Sequence, residues 1–134
     1  MKRSEEVRRA LHREMWMWIH DQIKSPIKNA FNLGTEKWPR WVTNGGDVKL
    51  GIKPNQHCLA CEQAGTSGNF PKCKVCPIVE KAGRCYNAGS AFDKFYDGLL
   101  ILAHSDFLPE NQIAKVEKGT RMLAKKIANA WRKS

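Results

Sequence analysis

All five cysteines of the 134-residue chain lie between Cys58 and Cys85. Four form two pairs, Cys58-x-x-Cys61 and Cys73-x-x-Cys76, with eleven residues between the pairs and eight more before Cys85. Two thiolates at this spacing fit on one short turn, and two facing turns supply the four sulfur ligands of tetrahedral zinc. The residues between the pairs include Gly65, Thr66, Ser67, Gly68, Asn69 and Pro71. They are too polar and too rich in glycine to order themselves by hydrophobic burial. Structural zinc contributes on the order of 10 kcal/mol to the folding of small modules, which is the stabilisation such a segment lacks. The spacing therefore predicts a zinc site on Cys58, Cys61, Cys73 and Cys76, with Cys85 and His57 as competing ligands. Pro77 removes a backbone N–H that would otherwise be available to a sulfur, which weakens the claim of Cys76 against Cys85. An iron–sulfur cluster is the less favoured alternative, because the run of three cysteines at two-residue intervals found in bacterial ferredoxins is missing. With so many thiols close together an all-sulfur shell closes easily, so the expected role is structural and not catalytic.

A second pattern lies at the C-terminal end. Between residues 109 and 134, Lys115, Lys118, Arg121, Lys125, Lys126, Arg132 and Lys133 stand against only Glu110 and Glu117. This net charge of five is half of the chain's formal excess of +10. On a helix, Lys118, Arg121 and Lys125 share one side, with Lys115, Lys126 and Lys133 adjoining it and Ile113, Thr120 and Ile127 opposite. Such a face suits the phosphate backbone of nucleic acid, or an acidic protein surface. The plainer reading is the solvated side of an amphipathic helix, which accounts for polarity but not for the scarcity of acid. Arg8, Arg9 and Arg13 are candidates to extend the patch.

Nothing comparable points to an enzyme. His12-x-Glu14 with Pro71-Lys72-Cys73-x-x-Cys76 echoes the zinc deaminase signature, but Lys72 separates the proline from the cysteine and no β-rich sequence flanks either half. His12 and His20 read as polar positions of an amphipathic helix and His104 as a helix-end residue. There is no phosphate-binding glycine loop, nucleophile motif or local carboxylate pair.

The elements that must carry these groups are mainly helical. Ser4 is placed to cap a helix over 4–24, with Glu5 and Glu6 in its first turn and Val7, Ala10, Leu11, Met15, Trp18 and Ile19 as its apolar stripe. Trp16 falls off that stripe and is expected to pack against the connection that follows. Residues 25–57 hold Pro26, Gly34, Pro39, Gly45, Gly46, Gly51 and Pro54 and read as a long irregular connection. Within it, Trp38 and Trp41 are expected to cover a small core sooner than to stack on bases. Ser90 and Asp93 form a capping-box pattern before a helix of about 90–105, with Phe92, Phe95, Tyr96, Leu99, Leu102 and Ala103 inward. Pro109 suits the first position of a third helix, 109–132, with Ile113, Val116, Thr120, Leu123, Ile127 and Trp131 as its buried stripe. The expected fold is mainly α: one small domain of about three helices with a cysteine-rich, zinc-binding insertion over 58–85.

Composition agrees with one folded domain. A mass of 15.3 kDa, 42% hydrophobic and 27% charged residues are ordinary for a globular chain. No uninterrupted apolar stretch exceeds the five residues of Leu99 to Ala103, against about 20 needed to span a bilayer. The basic start is not followed by an apolar segment of signal type, so a cytoplasmic location without a membrane partner is expected.

Leu11-His12-x-x-Met15-Trp16-x-Trp18-Ile19, Cys58-x-x-Cys61-Glu62, Cys73-x-x-Cys76-Pro77, Cys85 and Lys126-Ile127-Ala128 together resemble a group of uncharacterised small cysteine-rich bacteriophage proteins. The resemblance runs through most of the chain apart from residues 25–57. It implies a phage-encoded, metal-bound protein of the host cytoplasm and carries no activity with it. Two functions then compete: a zinc-stabilised module that contacts nucleic acid through its basic helical face, and a phage effector that inhibits a host enzyme or defence complex by occupying its surface.

Overall fold

The computed structural model describes residues 4–24, 66–67, 70–71, 76–83, 88–104 and 108–131. Three long helices dominate: α1, Glu5–Gln22; α3, Ala91–Ala103; and α4, Glu110–Ala128. A single turn, α2 (Val79–Ala82), and a two-stranded antiparallel ladder, β1 (Thr66–Ser67) with β2 (Phe70–Pro71), complete the described elements. The expectation of a mainly helical chain with three principal helices holds.

Each long helix begins where its sequence marks a start. The Ser4 hydroxyl accepts from Val7 N at 3.2 Å, with Glu5 and Glu6 at the positive end of the α1 dipole. Ser90 does the same for α3, accepting from Asp93 N at 3.2 Å. The Asp93 carboxylate reaches back 2.9 Å to Gly89 N, one residue outside the usual partner of a capping box. Gly89 has φ +83°, a conformation open to glycine and costly to other L residues, and this aims its N–H at Asp93. Pro109 caps α4 and does not open it as the first helical residue, so its fixed φ serves the entry while its missing N–H costs nothing. α4 also stops at Ala128, short of the expected 132. Trp131 nevertheless reaches the core, from the chain beyond the helix.

α1 and α3 both pack on α4, and the core lies among the three. Its largest fully buried members are Trp16, Phe95, Met15, Ile19, Ile23, Leu99, Leu102 and Ile127. Trp16 corrects the sequence reading: it lies at the centre, edge-on to Phe95 and Phe92 at 5.1 and 6.1 Å between ring centroids. Val7 and Ala10, placed on the stripe, are exposed. The buried line of α1 runs instead through His12, Met15, Trp16 and Ile19. A tryptophan buries more apolar area than any other side chain, so the helix is turned to present Trp16, while Trp18 is half-buried.

His12 is the polar exception in this line. Its ring is fully buried and lies edge-on to Trp131 at 5.3 Å. Its Nε2 is 2.8 Å from the Ile127 carbonyl, in the last turn of α4. The carbonyl only accepts, so Nε2 carries the proton. The bond ties the middle of α1 to the end of α4, where the Ile127 carbonyl also accepts from Ala130 N at 3.2 Å. On the other side of α4, Gly98 of α3 lies so close to Thr120 that a Cβ would overlap its Oγ1 and come within 3.2 Å of its Cβ. The glycine sets the approach of the two helices, and the Thr120 hydroxyl donates within its own helix to Val116 O at 2.7 Å.

Candidate nucleic-acid interface

Because α4 receives α1 and α3 on its inner side, its outer half projects. Between Asn111 and Asn129 its exposed positions include Lys115, Lys118, Lys125 and Lys126 and no carboxylate. Glu110 lies just before this stretch, at the helix start, and Glu117 is half-buried against Arg121 at 3.4 Å. The four lysines therefore face solvent without an acid interspersed. Met122, 63% exposed, is the most exposed large apolar residue of the described core elements and stands among them.

Arg121 belongs elsewhere. Its Nη1 donates to the Ile23 carbonyl at 2.8 Å. Ile23 is the C-cap of α1, so the guanidinium satisfies a carbonyl at the negative end of the α1 dipole. This arginine is a bracket between helices, although its position in the helical repeat groups it with Lys118 and Lys125. Arg132 and Lys133, the last two expected members of the face, lie outside the described residues.

The basic surface continues onto α1. Arg13 Nε donates to Asn129 Oδ1 at 3.1 Å, and Asn129 Nδ2 donates to Lys125 O at 3.1 Å. This pair of bonds joins the arginine side of α1 to the end of α4 beside Lys125 and Lys126. At the junction is a recess of about 270 Å³ lined by Glu6, Arg9, Arg13, Asn129 and Trp131. The Trp131 indole N–H is buried with no acceptor among the described residues. The α1 arginines were candidates to extend the patch from the sequence; the bond that joins Arg13 to α4 through Asn129 was not legible there, since a lone asparagine carries no signal.

Of the expected metal ligands, only Cys76 is among the described residues; Cys58, Cys61, Cys73, Cys85 and His57 lie outside them, as do Trp38 and Trp41. Cys76 is half-buried and packs against the hydrophobic core. The residues after it dock firmly: Ile78 and Ala82 are buried, α2 lies against α4, and Gly83, at φ +76°, turns the chain beside Ser90. The ladder falls between the two cysteine pairs, with Thr66 facing Pro71 and Ser67 facing Phe70. Sequence reading left this segment without structure of its own. Among the described residues no three His, Cys, Asp or Glu side chains gather as a metal site, and no helix is long and apolar enough to cross a membrane.

No family model, curated protein or solved structure matches this chain.

Proposed function

We propose that the protein is a phage-type, zinc-stabilised binding protein that contacts the phosphate backbone of nucleic acid through the outer face of α4. The observation that carries this reading is the acid-free set of four exposed lysines on a helix whose other side is buried. A merely solvated face has no need to exclude carboxylates, which favour solubility as well as lysine does. Attraction to a polyanion does require their exclusion. Arg9 and Arg13 broaden the surface on the α1 side.

Zinc held by Cys58, Cys61, Cys73 and Cys76, with Cys85 or His57 able to replace one of them, is the accompanying proposal. Two features support it. The antiparallel ladder of Thr66–Ser67 with Phe70–Pro71 lies between the two pairs and reverses the chain there, as two thiol pairs meeting at one metal require. Cys76 itself adjoins a segment anchored on the helical core, giving such a module a rigid base. When bound, the metal supplies cross-linking of the two turns and no chemistry.

The test is a titration of a labelled duplex with the purified chain across a salt series. Four lysine–phosphate contacts on duplex DNA give a slope of log K against log salt of about −3.6. Salt-independent affinity, or none at low salt, overturns the proposal. The rival reading, inhibition of a host enzyme or defence complex by surface binding, is separated by capturing tagged protein from host extract with and without nuclease. A stoichiometric protein that survives nuclease favours the rival.

A further inference from the structure

We infer that α4 binds duplex DNA by entering the major groove with Met122 foremost; this rests on the nucleic-acid reading above and narrows it to one groove of one duplex form. At about 100° per residue, Met122 lies roughly opposite the buried line of Thr120, Ala124 and Ile127. Lys118 and Lys125 fall within about 60° of it on one side, and Lys115 and Lys126 within about 40° on the other. The outer half of the helix thus has an apolar crest with two cationic flanks. α1 and α3 pack on the inner side, so neither stands in front of the crest.

These dimensions match a groove better than a single phosphate chain. A helix with its side chains is about 10–12 Å across and the B-form major groove is about 12 Å wide, so each flank meets a different strand. Lys115 and Lys126 are eleven residues apart, about 17 Å of helix, enough to follow one wall of the groove. On the opposite flank Arg13, held to Asn129 at 3.1 Å, extends the contact beyond Lys125. The crest is the part that faces base edges, and a thioether there offers apolar contact to thymine methyl groups with no hydrogen-bond demand. This predicts grip on both strands with little discrimination among sequences. A-form RNA, whose major groove is deep and narrow, does not admit the helix.

Dimethyl sulfate footprinting on a mixed-sequence DNA duplex reads the groove directly, because guanine N7 lies in the major groove and adenine N3 in the minor. We expect N7 protection with N3 still reactive. Two variants of equal charge change accompany it: Met122→Glu, at the crest, and Gln112→Glu, exposed but to one side. Met122→Glu is expected to lower duplex affinity at least 10-fold and Gln112→Glu about 2-fold, both with unchanged helical circular dichroism. Protection confined to adenine N3, equal losses in the two variants, or equal competition by single-stranded DNA or duplex RNA overturns groove entry while the phosphate-binding reading stands. Failure to bind any nucleic acid at low salt removes both.

Discussion

The three long helices and the stretch from Cys58 to Cys85 differ in what their sequences offer for order, and the zinc reading proposed above turns that difference into a contrast that can be tested. The helices bury Trp16, Phe95, Leu99 and Ile127 almost completely, each contributing about 1.5–3 kcal/mol by leaving water. Among its described residues the cysteine stretch contributes Ile78 and Ala82 as buried side chains of that core, both after its second cysteine pair. The sequence between its two cysteine pairs is polar and glycine-rich and offers little to bury. A tetrahedral sulfur site is the device its spacing fits.

The largest effect therefore belongs to metal removal, and it should be confined to one region. Protein purified under reducing conditions is expected to carry one zinc per chain. Stripping it with a strong chelator removes on the order of 10 kcal/mol of binding free energy from the cysteine stretch. Amide exchange should accelerate through residues 58–77 while α1, α3 and α4 stay protected. A fully folded, metal-free protein with slow exchange in that stretch breaks the contrast, and collapse of the helices on chelation breaks it from the other side.

Trp16→Ala is the reciprocal experiment. Removing a buried indole that meets Phe92 and Phe95 edge-on costs about 3–5 kcal/mol, enough to lower the thermal midpoint by well over ten degrees in a domain of this size. Calorimetry checks the loss, and bound zinc measured below the new midpoint should be unchanged. Gly98→Ala is next in size. The added methyl meets Thr120 Oγ1, and relief requires α3 and α4 to separate or Thr120 to change rotamer, at about 1–3 kcal/mol. The double variant with Thr120→Ala should recover much of that loss, since it removes the atom in the way. Failure to recover would place the strain elsewhere.

How much of this was legible from residues alone divides along the same line. Helix starts were readable because capping is local: Ser4 and Ser90 each accept from the third residue on, as their spacing requires. The inward face of α1 was harder, because Met15, Trp16, Met17, Trp18 and Ile19 offer apolar side chains all round the helix. The choice of Trp16 over Val7 and Ala10 depends on Phe92 and Phe95, which lie far along the chain. His12 was likewise unreadable, since its partner is a backbone carbonyl with no side-chain signature. Trp131 was rightly placed inside, by way of a helix longer than the real one. The cysteine spacing supports a proposal of metal chemistry without any fold, yet gave no sign of the Thr66–Pro71 pairing or of the docking of Ile78 and Ala82.

Arg121 gives the smallest effect and tests where the helical body ends and the proposed binding face begins. Periodicity alone groups it with Lys118 and Lys125, whereas its guanidinium is held by the Ile23 carbonyl at 2.8 Å and Glu117 at 3.4 Å. Arg121→Gln loses a hydrogen bond from a charged donor and the i, i+4 pair, about 1–2 kcal/mol together, read as a modest fall in the thermal midpoint. Ile23 is fully buried, so the end of α1 should fray first, with faster exchange confined to its last turn. The salt slope of DNA binding should not move, because this arginine neutralises no phosphate and so releases no counterion. Lys125→Ala should do the opposite: little change in stability, and a slope shallower by about 0.9. A slope change in Arg121→Gln equal to that in Lys125→Ala would return Arg121 to the outer face and mean that its bond to Ile23 yields when a polyanion arrives.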